Sequence, residues 1–452
     1  MNVHFIAIGG SAMHNMAIAM HKKGVIVSGS DDEILEPSKS RLAAHHLLPE
    51  SQGWNADKIT PALDAVILGM HARADNPELL KAQQLGLKIY SYPEYIYEQT
   101  KNKIRIVIGG SHGKTSITAM ILHVLQHQQV NCDYMVGAQL QGFDTMVKLT
   151  SEAKIAVIEG DEYLSSPIDR RPKFHLYKPS IAVLSGIAWD HINVFPTFDN
   201  YVEQFRIFTG LIEKDGSLIY CELDDEVKKV AESSRADIKK FPYHIPSHQI
   251  KNGITYLITA NKDVPLKVFG DHNLMNLTAA RLACKQVGVT DDQFYEAIQS
   301  FGGAAKRLEL VSANEVTAVY KDFAHSPSKL KATIQAVKKQ FPDRKLIACM
   351  ELHTFSSLNQ EFLEQYKGSM NLADEAIVYF NPHTIAHKKL TPITTEQVKA
   401  AFDRKSILVV NDSKEVITTL LKMDFQHKNL LLMSSGNFDG MDFRDLSNKI
   451  IK

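Results

Sequence analysis

Ile104-Arg-Ile-Val-Ile-Gly109-Gly-Ser-His-Gly113-Lys-Thr115 is the stretch on which the fold turns. The β-branched run Ile104 to Ile108 reads as a buried strand, and Gly109 to Gly113 is a glycine-rich turn. Ile117, Met120, Ile121, Val124 and Leu125 then recur at helical spacing, so the turn opens an amphipathic helix. Between a strand and a helix, backbone N–H groups and the helix dipole favour a bound phosphate. Lys114 can neutralise β- and γ-phosphate oxygens, and Thr115 can place a hydroxyl on Mg²⁺. The longer GxxxxGK[ST] pattern wants glycine where Ile108 stands, so the match is to the shorter GxxGKT form, Gly110 to Thr115.

Downstream, Ile155 to Ile158 and Ile181 to Leu184 read as two more buried strands, ending in Glu159-Gly-Asp161 and Asp190-His191. Ligands gather at the carboxyl ends of strands in open α/β sheets. Glu159 is therefore the expected second oxygen donor to a Mg²⁺ that keeps most of its waters, and His191 could serve the same cluster. Upstream the chain alternates strand and helix patterns from its first residues. Val3 to Ile8 is followed by Gly9-Gly10-Ser11 and a helix with Met13, Met16, Ala17 and Met20 on one face; Val25 to Ser28 and Ala65 to Leu68 are further strands. Asn76-Pro77-Glu78 is a helix start. The turn Ala7-Ile-Gly9-Gly10-Ser11-Ala12 is a degenerate GxGxxG, and Asp31 stands about 20 residues on, where a dinucleotide site puts its ribose-binding acid. A diphosphate such as a UDP-sugar fits that turn as well as NAD.

The 452 residues carry 51 basic and 51 acidic side chains and 44% hydrophobics. A chain of this length divides into several domains, and the pattern places them at 1–100, 101–303 and 304–452. Polar Lys101 to Lys103 marks the first junction and Gly302-Gly303 the second; from about Glu315 strands and helices alternate again, Val316–Tyr320, Leu346–Met350, Ala376–Phe380, Ile407–Val410 and Leu430–Met433. Zero net charge gives no footprint for nucleic acid or an anionic membrane. Cys132, Cys221, Cys284 and Cys349 form no CxxC pair, which argues against a zinc site or a disulfide framework. No signal peptide and no run of roughly 20 apolar residues is present, so the expected location is cytoplasmic.

Two further constellations gain meaning together. Asp271-His272-Asn273-Leu-Met-Asn276 opens a helix, and Asn273 and Asn276, three apart, share a face that could offer amides to adenine, an N-cap cluster being the plainer reading. Lys306-Arg307 follows the second junction, and Asp322-Phe-Ala-His325 ends a strand of the third region. If that region closes over the nucleotide, Arg307 can reach the γ-phosphate and Asp322 the ribose or the metal's water shell.

The ordered set Ile-Gly-Gly-Ser-Ala-Met13, Gly-Gly-Ser-His-Gly-Lys-Thr115, Glu-Gly-Asp-Glu-Tyr163, Trp-Asp-His191, Gly-Asp-His-Asn-Leu-Met-Asn276, Lys-Arg307 and Asp-Phe-Ala-His-Ser-Pro327 resembles the ATP-dependent Mur ligases across the whole chain. That resemblance implies an α/β protein of three domains: a Rossmann-like UDP-binding domain, a central P-loop ATPase domain and a C-terminal Rossmann-like domain that brings the amine. It implies ATP and Mg²⁺ as cofactors. Gly110, Ser111, His112, Gly113, Lys114, Thr115 and Ser116 would hold the phosphates, with Thr115, Glu159 and His191 on metal. His272, Asn273 and Asn276 would flank adenine, and Arg307 and Asp322 would complete the site. Gly9, Gly10, Ser11, Ala12, Met13, Asp31 and His71 would hold UDP-N-acetylmuramate. Lys114, His191, Arg307 and Asp322 would then carry the chemistry. Gln204-Phe-Arg206 stands where some members keep a carbamylated lysine, so none is expected.

Two members of the family share this type of first domain, one adding L-alanine and one reattaching the recycled tripeptide L-alanyl-γ-D-glutamyl-meso-diaminopimelate. Asp161-Glu-Tyr163 through Asp169-Arg-Arg-Pro-Lys-Phe174, and Met433-Ser-Ser-Gly436-Asn-Phe-Asp-Gly440, are more similar to the peptide enzyme, although Leu164 to Pro167 depart from it. Arg170, Arg171 and Lys173 could meet an anionic substrate, and His353, Thr354 and Ser356 are candidates for contact with the amine. An NAD-dependent dehydrogenase would leave Lys114 and Glu159 without a task. A nucleotide switch would bind ATP without forming an amide.

Overall fold

The computed structural model describes residues 1–140, 142–189, 194–304 and 307–451. Every apolar run expected as a strand forms one, with ends within two residues of those read from sequence. The central runs are buried on both faces, as parallel strands covered by helices must be, whereas the edge strands Ile26–Ser30 and Ile407–Val410 are exposed in part. In the first sheet the order is Ile26–Ser30, Asn2–Ile6, Ala65–Leu68, Ile89–Ser91, all parallel. Ile6, Val66, Leu68 and Leu79 form the core under its helix Pro77–Gln84, which Asn76 caps by accepting from the backbone N–H of Glu78 and Leu79.

The second sheet has seven strands in the order Lys239–Tyr243, Ser217–Cys221, Ile181–Leu184, Ile104–Gly109, Ile155–Glu159, Cys132–Met135, Val147–Lys148, parallel except for the last pair. The strand before the GxxGKT turn is thus central, flanked by the strands that end in Glu159 and Leu184. Both sheets belong to one compact unit, Met1–His244 with Leu277–Ala297. Arg105 and Lys103 tie down the junction near Lys101. The Arg105 guanidinium, 1% exposed, donates to the carbonyls of Thr100, Lys101, Lys103, Tyr177 and Lys178 and pairs with Glu213. A planar fork with five donors can be buried when each donor finds an oxygen.

The other unit, Ile245–Asn276 with Ile298–Lys452, holds two sheets. His248–Lys251, Ile254–Ile258 and Asp263–Leu266 form an antiparallel meander that the sequence pattern had not marked. The six-stranded sheet runs Glu309–Ala313, Ala318–Asp322, Lys428–Met433, Lys345–Leu352, Glu375–Phe380, Ile407–Val410, parallel apart from its first pair. Helices cover both faces, with Leu330, Ile334 and Val337 on one side and Val416, Leu420 and Leu446 on the other. Among the described residues no helix is long and apolar enough to cross a membrane, and all four cysteines are free and buried.

Candidate active site

The strand Ile104–Gly109 delivers the chain into its turn at the carboxyl edge of the second sheet. Gly110 takes φ +127°, and a Cβ there would stand 2.3 Å from Ser185 Oγ and 2.9 Å from its backbone nitrogen. Only glycine fits such a backbone at such close approach. The Ser185 hydroxyl donates to the carbonyls of Gly109 and His112, and Ser111 N–H donates to Gly186 O, which fixes the turn against the neighbouring strand end. The helix Lys114–His127 has Gly113 as its N-cap and no side-chain cap. Its first-turn N–H groups are left for an anion. Ser116 is buried beside them.

Thr115 meets the acid that ends the strand Ile155–Glu159, and Lys114 one three residues beyond it. Lys114 Nζ lies 2.6 Å from Gly110 O and 2.6 Å from Glu162 Oε2. Burial disfavours its charge, but the carboxylates of Glu162, Asp161 and Glu159 outweigh burial and hold its pKa above the ordinary lysine value. Thr115 Oγ1 donates to Glu159 Oε1 at 2.8 Å, and Glu159 Oε2 accepts Gly137 N–H at 2.8 Å. A Cβ on Gly137 would fall 2.8 Å from Glu159 Oε1, so any larger residue there would displace that carboxylate. The pair offers a hydroxyl and a carboxylate, the hard oxygens that magnesium prefers. Among the described residues no three histidine, cysteine, aspartate or glutamate side chains make a metal cage. His191 and Lys306 lie outside the described residues.

The glycine turn of the first sheet sits at the corresponding strand edge. Gly9 N–H donates to Asp31 Oδ2 at 2.6 Å. Burial, with Asp32 beside it, pushes the Asp31 carboxyl up to about 6 although the Gly9 hydrogen bond works the other way. Ser11 begins the helix Ser11–Lys22, in which Met13 is buried and Ala12 partly exposed, and His71 is exposed just beyond Ala65–Leu68. Sequence reasoning missed what joins this turn to the next. Asn15 Oδ1 accepts Met146 N–H at 2.9 Å, and Arg41 donates to Asn15 Oδ1, Gln139 Oε1 and Asp144 O. The segment that presents Gly137 to Glu159 therefore also anchors the helix of the first turn.

In the second unit the Asn273 amide donates to Phe269 O at 2.9 Å, four residues back along the chain. Asn276 is buried, and burial drives the His272 imidazole down to about 4, its Nδ1 without a hydrogen-bond partner. The Arg307 guanidinium lies over the Phe323 ring at 4.6 Å, and Asp322 Oδ2 accepts Leu308 N–H at 3.0 Å and the Thr333 hydroxyl at 3.2 Å. Burial lifts Asp322 to about 6 against the pull of Arg307. At the ends of adjacent strands, buried Glu351 accepts from the Ser434 hydroxyl and from Phe438 N–H at 2.8 Å, with His353 Nδ1 at 3.5 Å. Nothing in the spacing had pointed to Glu351. Thr354 and Ser356 serve the turn that follows, each accepting within it. Arg171 pairs with Asp169 and Glu94, and Lys173 with Asp161, while Arg170 is exposed.

Three family profiles match in series: "Mur ligase family, catalytic domain" over residues 2–103, "Mur ligase middle domain" over 108–284 and "Mur ligase, glutamate ligase domain" over 306–436. A UDP-N-acetylmuramate–L-alanine ligase of Caldicellulosiruptor saccharolyticus is 31% identical over 393 residues, 84% of this chain and 83% of that one. Its counterpart from Lactiplantibacillus plantarum is 27% identical over 424 residues, 92% of each. Among solved structures, a murein peptide ligase of Psychrobacter arcticus superposes with a TM-score of 0.65 at 22% identity, covering 100% of this chain and 98% of that chain. The UDP-N-acetylmuramate–alanine ligase of Thermotoga maritima gives 0.70 at 20% identity and 97% of each. These neighbours share the three-domain α/β architecture expected from sequence. The chain belongs to the Mur ligase family, the ATP-dependent ligases of peptidoglycan synthesis.

Proposed function

We propose that the chain joins UDP-N-acetylmuramate to the tripeptide L-alanyl-γ-D-glutamyl-meso-diaminopimelate in an ATP- and Mg²⁺-dependent amide ligation. The observation that carries the reaction type is the convergence of Lys114, Thr115 and Glu159 on the mouth of one glycine turn. The tripeptide, rather than L-alanine, is favoured by the segments Asp161–Phe174 and Met433–Gly440. The second of these is folded against Glu351, beside the end of the strand that leads into His353. Residues 1–100 would bind the UDP-sugar, 101–303 the nucleotide and 304–452 the amine. A cytoplasmic location belongs to the same proposal.

In this reading the first helix turn and Lys114 bind the β- and γ-phosphates. Thr115 and Glu159 would hold magnesium, with His191 assigned there by family resemblance alone; the ion supplies charge neutralisation to the phosphates. Thr115 must then turn its hydroxyl proton away from Glu159 so that its lone pairs face the metal. The lactyl carboxylate of the sugar attacks the γ-phosphorus, and Lys114 absorbs negative charge as ADP departs. The free amine of the tripeptide then attacks the acyl phosphate carbonyl, and inorganic phosphate leaves. Arg307, Asp322, His272, Asn273 and Asn276 are proposed to contact the nucleotide. Gly9, Gly10, Ser11, Ala12, Met13, Asp31 and His71 are proposed to contact the UDP-sugar.

Phosphate release from ATP and UDP-N-acetylmuramate, measured with tripeptide and separately with L-alanine, tests the choice of amine. Turnover with tripeptide and little with L-alanine is expected; the reverse preference would assign the chain to alanine addition.

A further inference from the structure

An ammonium has three N–H groups, and at Lys114 two are committed, one to Gly110 O and one to Glu162 Oε2, both at 2.6 Å. With two directions fixed, tetrahedral geometry fixes the third. The orientation of the lysine therefore depends on how firmly Glu162 is held. Its side chain is 1% exposed, and an ionised carboxylate so placed needs partners. Besides Lys114 it has the Tyr201 hydroxyl 3.2 Å from Oε1. Tyr201 is fully buried, and its oxygen is 2.9 Å from Ser111 Oγ, which accepts Ala188 N–H at 2.9 Å. The backbone N–H can only donate and the carboxylate only accept, which gives the chain one direction. Ala188 donates to Ser111, Ser111 to Tyr201, Tyr201 to Glu162, and Lys114 meets the other oxygen. Linked bonds of this kind polarise and stiffen one another.

We propose that Glu162 is a positioning residue for Lys114, and that the Ala188–Ser111–Tyr201–Glu162 chain aims the remaining N–H of the lysine at the transferring phosphoryl group. This rests on the reading that Lys114 meets the nucleotide phosphates. Two carboxylates three residues apart thereby take different tasks. Glu159 bonds the Thr115 hydroxyl and Gly137 N–H, whereas Glu162 bonds the lysine. The tyrosine comes from the helix Phe198–Gly210, so four separate parts of the second sheet's surroundings set one ammonium.

The experiment uses the full chain with ATP, UDP-N-acetylmuramate and the amine it accepts. It compares wild type with Lys114→Ala, Glu159→Gln, Glu162→Gln, Glu162→Asp and Tyr201→Phe. kcat, KM for ATP, the Mg²⁺ concentration for half-maximal rate and the thermal midpoint are read for each. Glu162→Gln should lower kcat roughly 10- to 100-fold, the scale of a misaligned catalytic group, with KM for ATP and the Mg²⁺ requirement close to wild type. Glu162→Asp should recover part of the loss. Glu159→Gln should instead raise the Mg²⁺ requirement. Tyr201→Phe keeps the ring and its packing, so its midpoint should stay within about 3 °C while kcat falls less than in Glu162→Gln. Wild-type kcat in Glu162→Gln overturns the proposal, as does a Mg²⁺ requirement that rises there as in Glu159→Gln. Should Glu162→Gln fail to fold, Tyr201→Phe decides, and unchanged kcat there overturns it. Undiminished turnover in Lys114→Ala would instead overturn the phosphate-site reading itself.

Discussion

The two strand–glycine–helix turns of the first unit, Gly9–Ser11 and Gly109–Lys114, share a backbone device and differ in what surrounds it. Each follows a parallel strand. Each opens a helix whose N-cap is a glycine with no side-chain cap, whereas the helices Pro77–Gln84 and Tyr92–Thr100 are closed by Asn76 and Ser91. At the second turn the helix supplies a lysine and a threonine, and acids converge to hold them. At the first the opening turn of the helix, Ser11 to His14, supplies no lysine or arginine, and the Gly9 N–H is already taken by a carboxylate. An uncapped helix end therefore sets only a preference for anions. Under the proposed function the side chains then separate the two, Lys114 serving a highly charged triphosphate and an acid such as Asp31 the hydroxyls of the UDP-sugar.

The largest expected effect separates the turns by charge. Lys114→Ala should lower turnover by about 10²-fold or more, the usual scale for removing one preorganised electrostatic donor, and steady-state phosphate release checks it. Near-normal ligation would show that the second turn works without its cation. The next effect separates them by shape. Alanine at Gly110 would put a Cβ into Ser185 and demand a φ of +127°, whereas at Gly10 the nearest atom, in Met13, is 3.5 Å away and φ is −57°. Gly110→Ala should therefore destabilise by at least the ~1–3 kcal/mol of backbone strain, while Gly10→Ala should stay within about 1 kcal/mol. Thermal unfolding of the two variants side by side would show whether the asymmetry is real, and equal midpoints would remove it.

Both turns were legible in the sequence because each is local: an apolar run, a glycine cluster and a helical period within about 20 residues. Glu159 was legible for a related reason, since a strand end after an apolar run has a known address on the sheet. What surrounds Lys114 was not. Glu162 lies 48 positions from Lys114 and Tyr201 a further 39, and no periodicity links residues that meet only when parallel strands come into register. The segment Val136–Met146 escaped for the same cause, because Gly137, Gln139 and Asp144 act through contacts with Glu159 and Arg41. Strands interrupted by charge were also hidden. Cys132–Met135 carries Asp133, tolerated inside because Lys103 Nζ is 2.5 Å away, and Lys239–Tyr243 is a sheet edge where Pro242 costs no central ladder bond. The meander 248–266 mixes charged and apolar residues too evenly to read as strands.

The smallest effect tests the acid of the first turn. Burial raises the Asp31 carboxyl from an ordinary 3.8 to about 6 in the folded protein. Between those values the native state binds more protons than the unfolded chain, so stability declines as pH rises. The stabilisation that protonated Asp31 provides is complete below about 4 and gone once pH passes about 6. Asp322 has the same sign at about 6, so the wild-type slope alone cannot identify its source. The difference between Asp31→Asn and wild type can. An amide oxygen still accepts the Gly9 N–H without a buried charge, so the variant should gain in stability relative to wild type from pH 4.5 to pH 7, by no more than about 3 kcal/mol, read as a rise in relative thermal midpoint. At pH 7 the same variant should raise KM for UDP-N-acetylmuramate while leaving KM for ATP unchanged. A midpoint difference that is flat across this range would mean that ionised Asp31 carries no penalty and that the two turns differ less in electrostatics than their contacts imply.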